Sequence, residues 1–229
     1  GNDSLFGDAG NDQLFGGDGR DVLVGGANND QIQGGGGDDV ILFGWADGTD
    51  AVNGGDGTDR LRITGTTANE TLTATWNGTA LTALSGFTSI TSVEQIHVDL
   101  EGSADTLAYA TGSAGVVVDL GAGTATGFAS IADVANVQTG SGADVLSGND
   151  QANTLNGGGG NDYFLARVDD ASDLYTGSAG VDMLDLSAYL TDLSVDLSFA
   201  TATILGTGTT AALSDRVQTV ENLILGGGA

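Results

Sequence analysis

The sequence predicts an all-β fold, a right-handed parallel β-solenoid built from short strands and glycine-aspartate turns. A nine-residue pattern recurs along the chain, and each copy holds one large apolar residue, as at Leu14, Leu23 and Ile32. The 40 glycines suit frequent turns. No segment shows the capped 3.6-residue period of a helix. A pattern that repeats at a fixed short period is typical of solenoids.

The composition restricts the partners of the chain. Its 31 acidic residues outnumber five arginines, which gives a formal net charge of -26 over 229 residues. We expect no nucleic acid partner, because phosphate binding requires a basic face; a divalent cation is favoured instead. No stretch approaches the roughly 20 apolar residues of a membrane span. The absence of cysteine fits an extracellular protein stabilised by metal.

A first block of repeats covers residues 1–63. The copies follow the pattern G-G-x-G-x-D-x-U-x, in which U is a large apolar residue. After a partial copy from Gly1, they are GDAGNDQLF (7–15), GGDGRDVLV (16–24), GGANNDQIQ (25–33), GGGGDDVIL (34–42), WADGTDAVN (45–53) and GGDGTDRLR (54–62). Phe43 and Gly44 interrupt the period, and we expect this insertion to shift the phase before Asp50 and Asp59.

A second block covers residues 139–186. Its copies are TGSGADVLS (139–147), GNDQANTLN (148–156), GGGGNDYFL (157–165) and a separate GSAGVDMLD (177–185). Asn153 replaces the sixth-position Asp, so a weaker or empty site is expected there. Asp182 has no matching turn two repeats away and is expected to bind nothing.

The segments 64–138 and 187–229 are rich in Thr, Ala and Val and are expected to form interspersed β structure. Polar and apolar residues alternate around Asn77-Gly78, which predicts a two-residue type I′ hairpin. In that hairpin one face holds Leu72, Ala74 and Trp76 together with Thr79, Leu81 and Ala83. The alternative is a continuing solenoid with Asn77-Gly78 at one corner.

Two further similarities suggest a larger repeating unit. The stretch GVVVDLGAGTAT (115–126) resembles LSVDLSFATAT (193–203), which indicates a duplicated unit containing a strand pair. Joined tail to head, Gly227–Ala229 and Gly1–Phe6 spell GGAGNDSLF, a complete nonapeptide. We therefore expect continuation into further repeats or end-to-end self-association. A competing register, with Gly228-Ala229 matching Gly142-Ala143, remains open.

The phased nonapeptides resemble the calcium-binding repeats of the RTX (repeats-in-toxin) family, secreted bacterial proteins exported through type I systems. The resemblance implies a parallel β-roll, in which six residues form a turn, three form a strand, and two nonapeptides make one coil. It implies several Ca²⁺ ions as cofactors and an extracellular or cell-surface location. It implies no catalytic role for the repeats.

The resemblance also implies the ligands, since each ion would lie between neighbouring turns. The sixth-position carboxylates are Asp3, Asp12, Asp21, Asp30, Asp39, Asp50, Asp59, Asp144 and Asp162. The carbonyls near the first and third positions are those of Gly7, Ala9, Gly16, Asp18, Gly25, Ala27, Gly34 and Gly36. Aspartates two repeats apart should share an edge, with Asp3, Asp21 and Asp39 on one side and Asp12 and Asp30 on the other. Calcium is expected on both edges of the first block and in 139–165.

Coil stacking makes the metal necessary in this scheme. Strands lie about 4.8 Å apart, and two carboxylates at about 5 Å repel by roughly 3 kcal/mol at an effective dielectric constant of about 20. The opposing core is thin: Leu5, Leu14, Leu23, Ile32 and Ile41 should form two ladders, with Phe164 in the same role in the far block. We therefore expect the metal-free chain to stay unfolded, and calcium binding and folding to be one event.

Three functions fit these features. The first is a structural calcium-binding segment of a large secreted or surface protein, such as an adhesin, a matrix or fibre component or an S-layer-like array. The second is the secretion and folding region of an RTX exoenzyme or toxin whose active domain lies outside this chain. The third is an enzyme or carbohydrate-binding module within 64–138. The interspersed β segments favour the first, and His97 is interpreted as a structural strand residue because no catalytic motif surrounds it.

Overall fold

The computed structural model describes residues 1–102, 104–168, 171–189, 193–196, 202–206 and 215–225. All regular structure in these residues is β, which confirms the predicted fold class. They contain no helix, and so none long and apolar enough to cross a membrane. The chain forms two compact units: Gly1–Thr75 with Leu81–Asp105 and Gly127–Asp133, and Trp76–Ala80 with Thr106–Thr126 and Val134–Ala229.

The first unit alternates between two parallel sheets. Its strands are β1 (Ser4–Phe6), β2 (Gln13–Asp18), β3 (Val22–Val24), β4 (Gln31–Gly36), β5 (Val40–Gly44), β6 (Asp50–Asp56), β7 (Arg60–Thr64), β8 (Thr71–Trp76), β9 (Leu81–Leu84), β10 (Phe87–Thr91), β11 (Gln95–Asp99) and β15 (Ser130–Ala132). One sheet has the order β1-β3-β5-β7-β11-β15, and the other has the order β10-β6-β4-β2; β8 and β9 are neighbours in a further sheet. Successive strands of the repeats thus lie in opposite sheets, so two nonapeptides make one coil, as the β-roll requires.

The core of the first unit consists of two rows of stacked apolar side chains. In the first sheet Leu5, Leu23, Ile41 and Leu61 are partners across parallel strands. In the second sheet the partners are Leu14, Ile32 and Val52. Leu23, Ile41 and Leu61 are completely buried. The two predicted ladders are therefore confirmed, and each repeat contributes its U residue to one of them.

The expectation that the insertion at Phe43-Gly44 shifts the phase of the repeats is wrong. Asp30 is followed by its stacking partner Asp50 after 20 residues rather than 18. The two extra residues lengthen β5, and the chain turns after it through a hydrogen bond from Gly44 N to Asp47 Oδ2 of 2.5 Å. Phe43 is buried against Phe87, with ring centroids 4.5 Å apart. The extra length is thus absorbed locally while strand register is kept.

The segment 71–84 contains a hairpin-like excursion, but the predicted type I′ turn is wrong. β8 and β9 are adjacent in their sheet and are joined by Asn77–Ala80. A type I′ turn needs positive φ at both central residues, and only Gly78 has it (φ 102°). Asn77 Oδ1 instead accepts the backbone N–H groups of Thr79 and Ala80 at 2.9 Å.

The same segment also continues the solenoid, so both sequence alternatives are partly correct. Asp59 N–H donates to Glu94 Oε2 at 2.7 Å, and the two residues are 35 apart. This coil therefore ends in the same backbone-to-acid hydrogen bond as the shorter coils, and segment 71–84 is accommodated as additional residues within it. Leu72 and Ala74, which were predicted to share a face, are both buried, whereas Leu84, and not Ala83 of the predicted face, is buried from the returning strand.

The second unit repeats the architecture. Its strands are β12 (Thr106–Tyr109), β13 (Val117–Asp119), β14 (Thr124–Ala125), β16 (Asn136–Gln138), β17 (Val145–Ser147), β18 (Thr154–Asn156), β19 (Tyr163–Leu165), β20 (Leu174–Thr176), β21 (Met183–Leu186), β22 (Leu193–Asp196), β23 (Ala202–Gly206), β24 (Asp215–Gln218) and β25 (Asn222–Leu225). One sheet runs β14-β13-β17-β19-β21-β25, and in the other β12, β16, β18, β20, β24, β23 and β22 are successive neighbours. Leu146, Phe164 and Leu184 stack in the first, which confirms the core role of Phe164.

The two similar stretches found in the sequence have the same local structure. β13 pairs antiparallel with β14, and β22 pairs antiparallel with β23. Each stretch thus forms a strand pair, as predicted, in a fold whose other pairs are mainly parallel. The proposed junction at Gly227–Ala229 lies outside the described residues.

Truncation of the core should destabilise the calcium-loaded chain. Phe164 is completely buried and contacts Tyr175 edge to face, with centroids 6.0 Å apart. Phe164→Ala should cost about 3–5 kcal/mol of unfolding free energy because it leaves a cavity. The adjacent Leu165 is 38% exposed, so Leu165→Ala is the matched control and should have a much smaller effect. Denaturant unfolding in saturating calcium measures both, and equal losses would contradict the assigned core.

Candidate metal-binding turns

The glycine-aspartate turns use left-handed backbone at two positions in several repeats. In repeat 16–24 the second and fourth positions have positive φ, at Gly17 (93°) and Gly19 (137°). Side chains with a Cβ disfavour this region, which explains glycine there. Asn28 holds the fourth position of its repeat at φ 84°. That substitution fits the known tolerance of Asn for left-handed conformations.

The first-position glycines are required for a different reason, which is close approach. A Cβ built on Gly16 would lie 2.5 Å from Asp21 Oδ2 and 2.5 Å from the carbonyl oxygen of Gly34. Gly34 has the same surroundings, formed by Asp39 Oδ2 and the Gly54 carbonyl. A carboxylate from one turn and a carbonyl from the next coil therefore converge on a space that only glycine leaves open.

The sixth-position acids stack along the edges of the coils. Asp21 N–H donates to Asp39 Oδ1 at 2.8 Å, and Asp39 N–H donates to Asp59 Oδ1 at 2.8 Å. We call such rows acid ladders. In the first unit they are Asp3-Asp21-Asp39-Asp59-Glu94 and Asp12-Asp30-Asp50, and in the second Asp144-Asp162-Asp182-Glu221 and Asn153-Asp173-Asp215. The two predicted edges of the first block are therefore confirmed.

The second oxygen of most of these carboxylates has no donor. In the described residues, buried ladder Oδ2 atoms without a hydrogen-bond partner belong to Asp12, Asp21, Asp30, Asp39, Asp59, Asp144, Asp162 and Asp182. Asp21, Asp39 and Asp59 are each at most 1% exposed. A buried ionised oxygen is costly unless a charge or donor faces it. The residues therefore fit a bound cation on chemical grounds, and calcium would supply the missing positive charge.

Burial changes the protonation of the ladder acids. It raises the pKa of Asp162 to about 7 and that of Asp50 to about 6. Burial, reinforced by neighbouring ladder carboxylates, also raises the pKa of Asp39 and Asp59. Backbone N–H donation lowers the pKa in each case but does not outweigh burial. The carboxylates are thus costly to ionise in the folded chain unless a cation accompanies them.

The ladders extend beyond the residues that the repeat pattern indicates. Asp182 is not isolated, because its turn stacks on that of Asp162, whose N–H donates to Asp182 Oδ1 at 2.9 Å. Glu94, Glu221, Asp173 and Asp215 also lie in the ladders, although the nine-residue pattern does not indicate them. These residues lack the preceding glycines but share a simpler signal: an acid two positions before an apolar residue of the stacked rows, as in Asp173-Leu174-Tyr175.

One edge of the second unit satisfies its polar groups without an ion. Asn153 Nδ2 donates to the Ala135 carbonyl at 2.8 Å, so an amide stands where other turns have an unpaired carboxylate oxygen. The hydroxyl of Tyr175 donates to Asp173 Oδ2 at 3.0 Å. In the 139–165 block, Asp144 and Asp162 have unpaired oxygens on the other edge. The structure thus favours calcium on one edge of this block, and the expected weak site at Asn153 agrees with its chemistry.

The implied carbonyl ligands lie in these turns but already form hydrogen bonds at the third position. The Ala27 carbonyl accepts Gly10 N–H at 3.0 Å, and the Gly36 carbonyl accepts Gly19 N–H at 2.7 Å. Each carbonyl oxygen keeps a second lone pair. No three acidic, His or Cys side chains form a metal cluster in the described residues. An ion would therefore combine single carboxylates with main-chain carbonyls, which calcium accepts.

Not every predicted carboxylate is equally placed. Asp3 is exposed, with 59% of its side chain accessible, and its second oxygen lies 3.8 Å from the amino group of Gly1. Asp18, whose carbonyl was a predicted ligand, is also exposed, and that carbonyl accepts the Gly1 amino group at 2.6 Å. The carboxylates of Asp21 and Asp39 are thus more enclosed than that of Asp3.

Stacked acid ladders on parallel β coils define the chain as a metal-binding β-roll repeat protein. Residues 1–23, 15–49 and 138–170 match the family model described as the RTX calcium-binding nonapeptide repeat (4 copies). The chain therefore carries RTX repeats, and the ions they bind are Ca²⁺. No curated protein matches the chain.

Filling the first-position space should weaken calcium-driven folding. In Gly34→Ala the new Cβ would overlap Asp39 Oδ2 and the Gly54 carbonyl. The calcium concentration at half-folding should therefore rise at least several-fold. Gly36→Ala is the control, because its nearest neighbour is Asp18 Oδ1 at 3.4 Å and alanine already occupies this position at Ala9 and Ala27. Circular dichroism during calcium titration measures the shift; equal midpoints would show that the space is not used.

Acidification should oppose calcium and favour the metal-free fold. The folded pKa of Asp162, about 7, is above its ordinary value of 3.8. Protonation of this carboxyl therefore stabilises the metal-free folded state below its ordinary pKa, and that stability is lost as pH rises through about 7. Protons also compete with calcium for the same oxygen, so the dissociation constant of calcium from the folded chain should rise as the pH falls from about 8 to about 6. Titrations at several pH values with and without chelator test both signs.

Proposed function

We propose that the chain is a structural calcium-binding segment of a large secreted or cell-surface protein, and that it folds when it meets extracellular calcium. The observation that supports this most directly is the row of buried carboxylate oxygens without donors. In a compartment poor in calcium these oxygens would repel one another within a thin core. The unfolded chain that results is suited to export through a narrow channel.

Each ladder acid has two tasks in this proposal. Oδ1 accepts a backbone N–H from the preceding coil, which fixes the register of two turns. Where the first position is glycine, as at Gly16 and Gly34, Oδ2 points to the space beside it, where calcium would balance its charge. The ions would occupy turns of the blocks 1–63 and 139–186, with the sixth-position acids and the first- and third-position carbonyls as ligands. Calcium itself supplies charge neutralisation only, and the chain supplies the geometry.

We further propose that the role is structural rather than catalytic, as in an adhesin, a matrix or fibre component or an S-layer-like array. The segments between the repeats form additional strands on long coils, which enlarges the outer surface. His97 supports a structural interpretation: its Nδ1 is 2.7 Å from Ser130 Oγ within adjacent parallel strands. Burial and the nearby Arg60 and Arg62 lower its pKa.

A pair of adjacent aspartates tests the proposal. Asp39→Asn removes a buried ladder carboxylate and should raise the calcium midpoint of β-structure formation several-fold. Asp38→Asn removes the same charge from an exposed neighbour and should leave the midpoint nearly unchanged. Circular dichroism in excess chelator and in calcium reads out both. Full β structure of the wild-type chain in chelator, or identical midpoints for the two variants, would contradict the proposal.

Fractionation of the producing cells tests the location. Immunodetection of the chain should find it in the medium or at the cell surface, where calcium is abundant. Folded chain retained in the cytoplasm would overturn the proposed location without affecting the calcium chemistry.

A further inference from the structure

A buried pair of carboxyl groups lies outside the residues that match the RTX repeat. Glu70 ends the turn before β8, and Asp105 ends a turn 35 residues later. Glu70 N–H donates to Asp105 Oδ1 at 2.6 Å, which is the same backbone-to-acid contact that links the ladder aspartates. Glu70 is 5% exposed and Asp105 is completely buried. The pair therefore repeats the ladder geometry in a segment without the glycine-rich motif.

Each member of the pair has an oxygen that no donor satisfies. Glu70 Oε1 accepts the hydroxyl of Thr66, but Glu70 Oε2 and Asp105 Oδ2 are buried without a hydrogen-bond partner. A Cβ built on Gly102 would contact Asp105 Oδ2 and would lie 3.1 Å from the Ala68 carbonyl oxygen. A carboxylate and a main-chain carbonyl thus converge beside a glycine, as they do beside Gly16.

The charge of this pair is not balanced by the protein. In the part of the chain that the structure describes, neither carboxylate forms an ion pair with an arginine. Two adjacent buried carboxyl groups need either a shared proton or a cation. The donor set consists only of oxygen atoms, from two carboxylates and a carbonyl, and this set suits calcium.

We propose that Glu70, Asp105 and the Ala68 carbonyl bind a Ca²⁺ ion between the turns that end at Glu70 and at Asp105, outside the nonapeptide repeats. The ion holds together the two ends of a coil that is lengthened to 35 residues by the β8–β10 excursion. Without it, the two turns would be joined by a backbone-to-carboxylate hydrogen bond beside two buried carboxylates whose charge nothing balances. The site is independent of the repeat sites, since neither acid belongs to a nonapeptide.

The number of calcium ions bound per chain tests the site. Equilibrium dialysis of the whole chain in saturating calcium, followed by metal analysis, gives the wild-type number. Glu70→Gln and Asp105→Asn should each lower that number by one while the β-type circular dichroism spectrum is kept. Glu101→Gln is the control, because it removes an exposed charge next to Gly102 and should keep the full number.

The outcomes separate this site from the repeats. A wild-type chain that binds no calcium would overturn the proposed function as well. Wild-type binding with unchanged numbers in Glu70→Gln and Asp105→Asn would overturn this site alone and indicate a shared proton. If either variant fails to fold in calcium, Glu70→Asp is the deciding variant. It keeps the charge but moves the carboxylate oxygen away from the site, so one ion should bind at least about tenfold more weakly. A binding curve identical to wild type would then overturn the site.

Discussion

The constraint on which this fold depends is the burial of stacked carboxylates along the coil edges. A ladder acid joins two coils through one oxygen, and in turns such as that of Asp21 it leaves the other in a buried space without a donor. That space exists only because the first position of the repeat is glycine, as at Gly16. The strands can be as short as three residues because the turns, rather than long ladders of backbone pairs, set the register. The thin rows of buried Leu and Ile stabilise the coils, whose register is set by the turns at their edges.

Coil length is free to vary because register is fixed locally. Successive ladder acids are 18 residues apart in the tightest coils, 20 where two residues are inserted, and 35 to 42 where strand pairs are added. In every case the same backbone N–H reaches the acid of the following coil. Extra chain therefore emerges at the turns or as antiparallel pairs, and the stacking of the core continues beneath it. This tolerance allows Thr- and Ala-rich segments within a repeat array.

Much of the fold follows from the nine-residue period, since the stacked positions of Leu23 and Ile41 and the aspartates beside them were predictable from spacing alone. The period fails where the chain is longer. A strict nine-residue count predicts a loss of phase at Phe43-Gly44. In the structure Asp50 still stacks on Asp30, because the neighbouring coil and not the residue count determines the contact. The ladder position of Glu94 could not be predicted from the pattern because no glycines precede it. The type I′ prediction at Asn77 was wrong because the Asn77 side chain accepts hydrogen bonds from two backbone amides, which residue spacing does not reveal.

The edge formed by Asn153, Asp173 and Asp215 has a consequence for how the chain responds to loss of calcium. The Asn153 amide donates to the Ala135 carbonyl there, and the hydroxyls of Tyr175 and Tyr189 donate to Asp173 and Asp215. The polar groups on this side of the second unit are satisfied without calcium, since their donors belong to the polypeptide. The two edges of the unit therefore differ in what removal of calcium would take from them: charge balance at the unpaired carboxylates of Asp144 and Asp162, and nothing at Asn153 and Asp173.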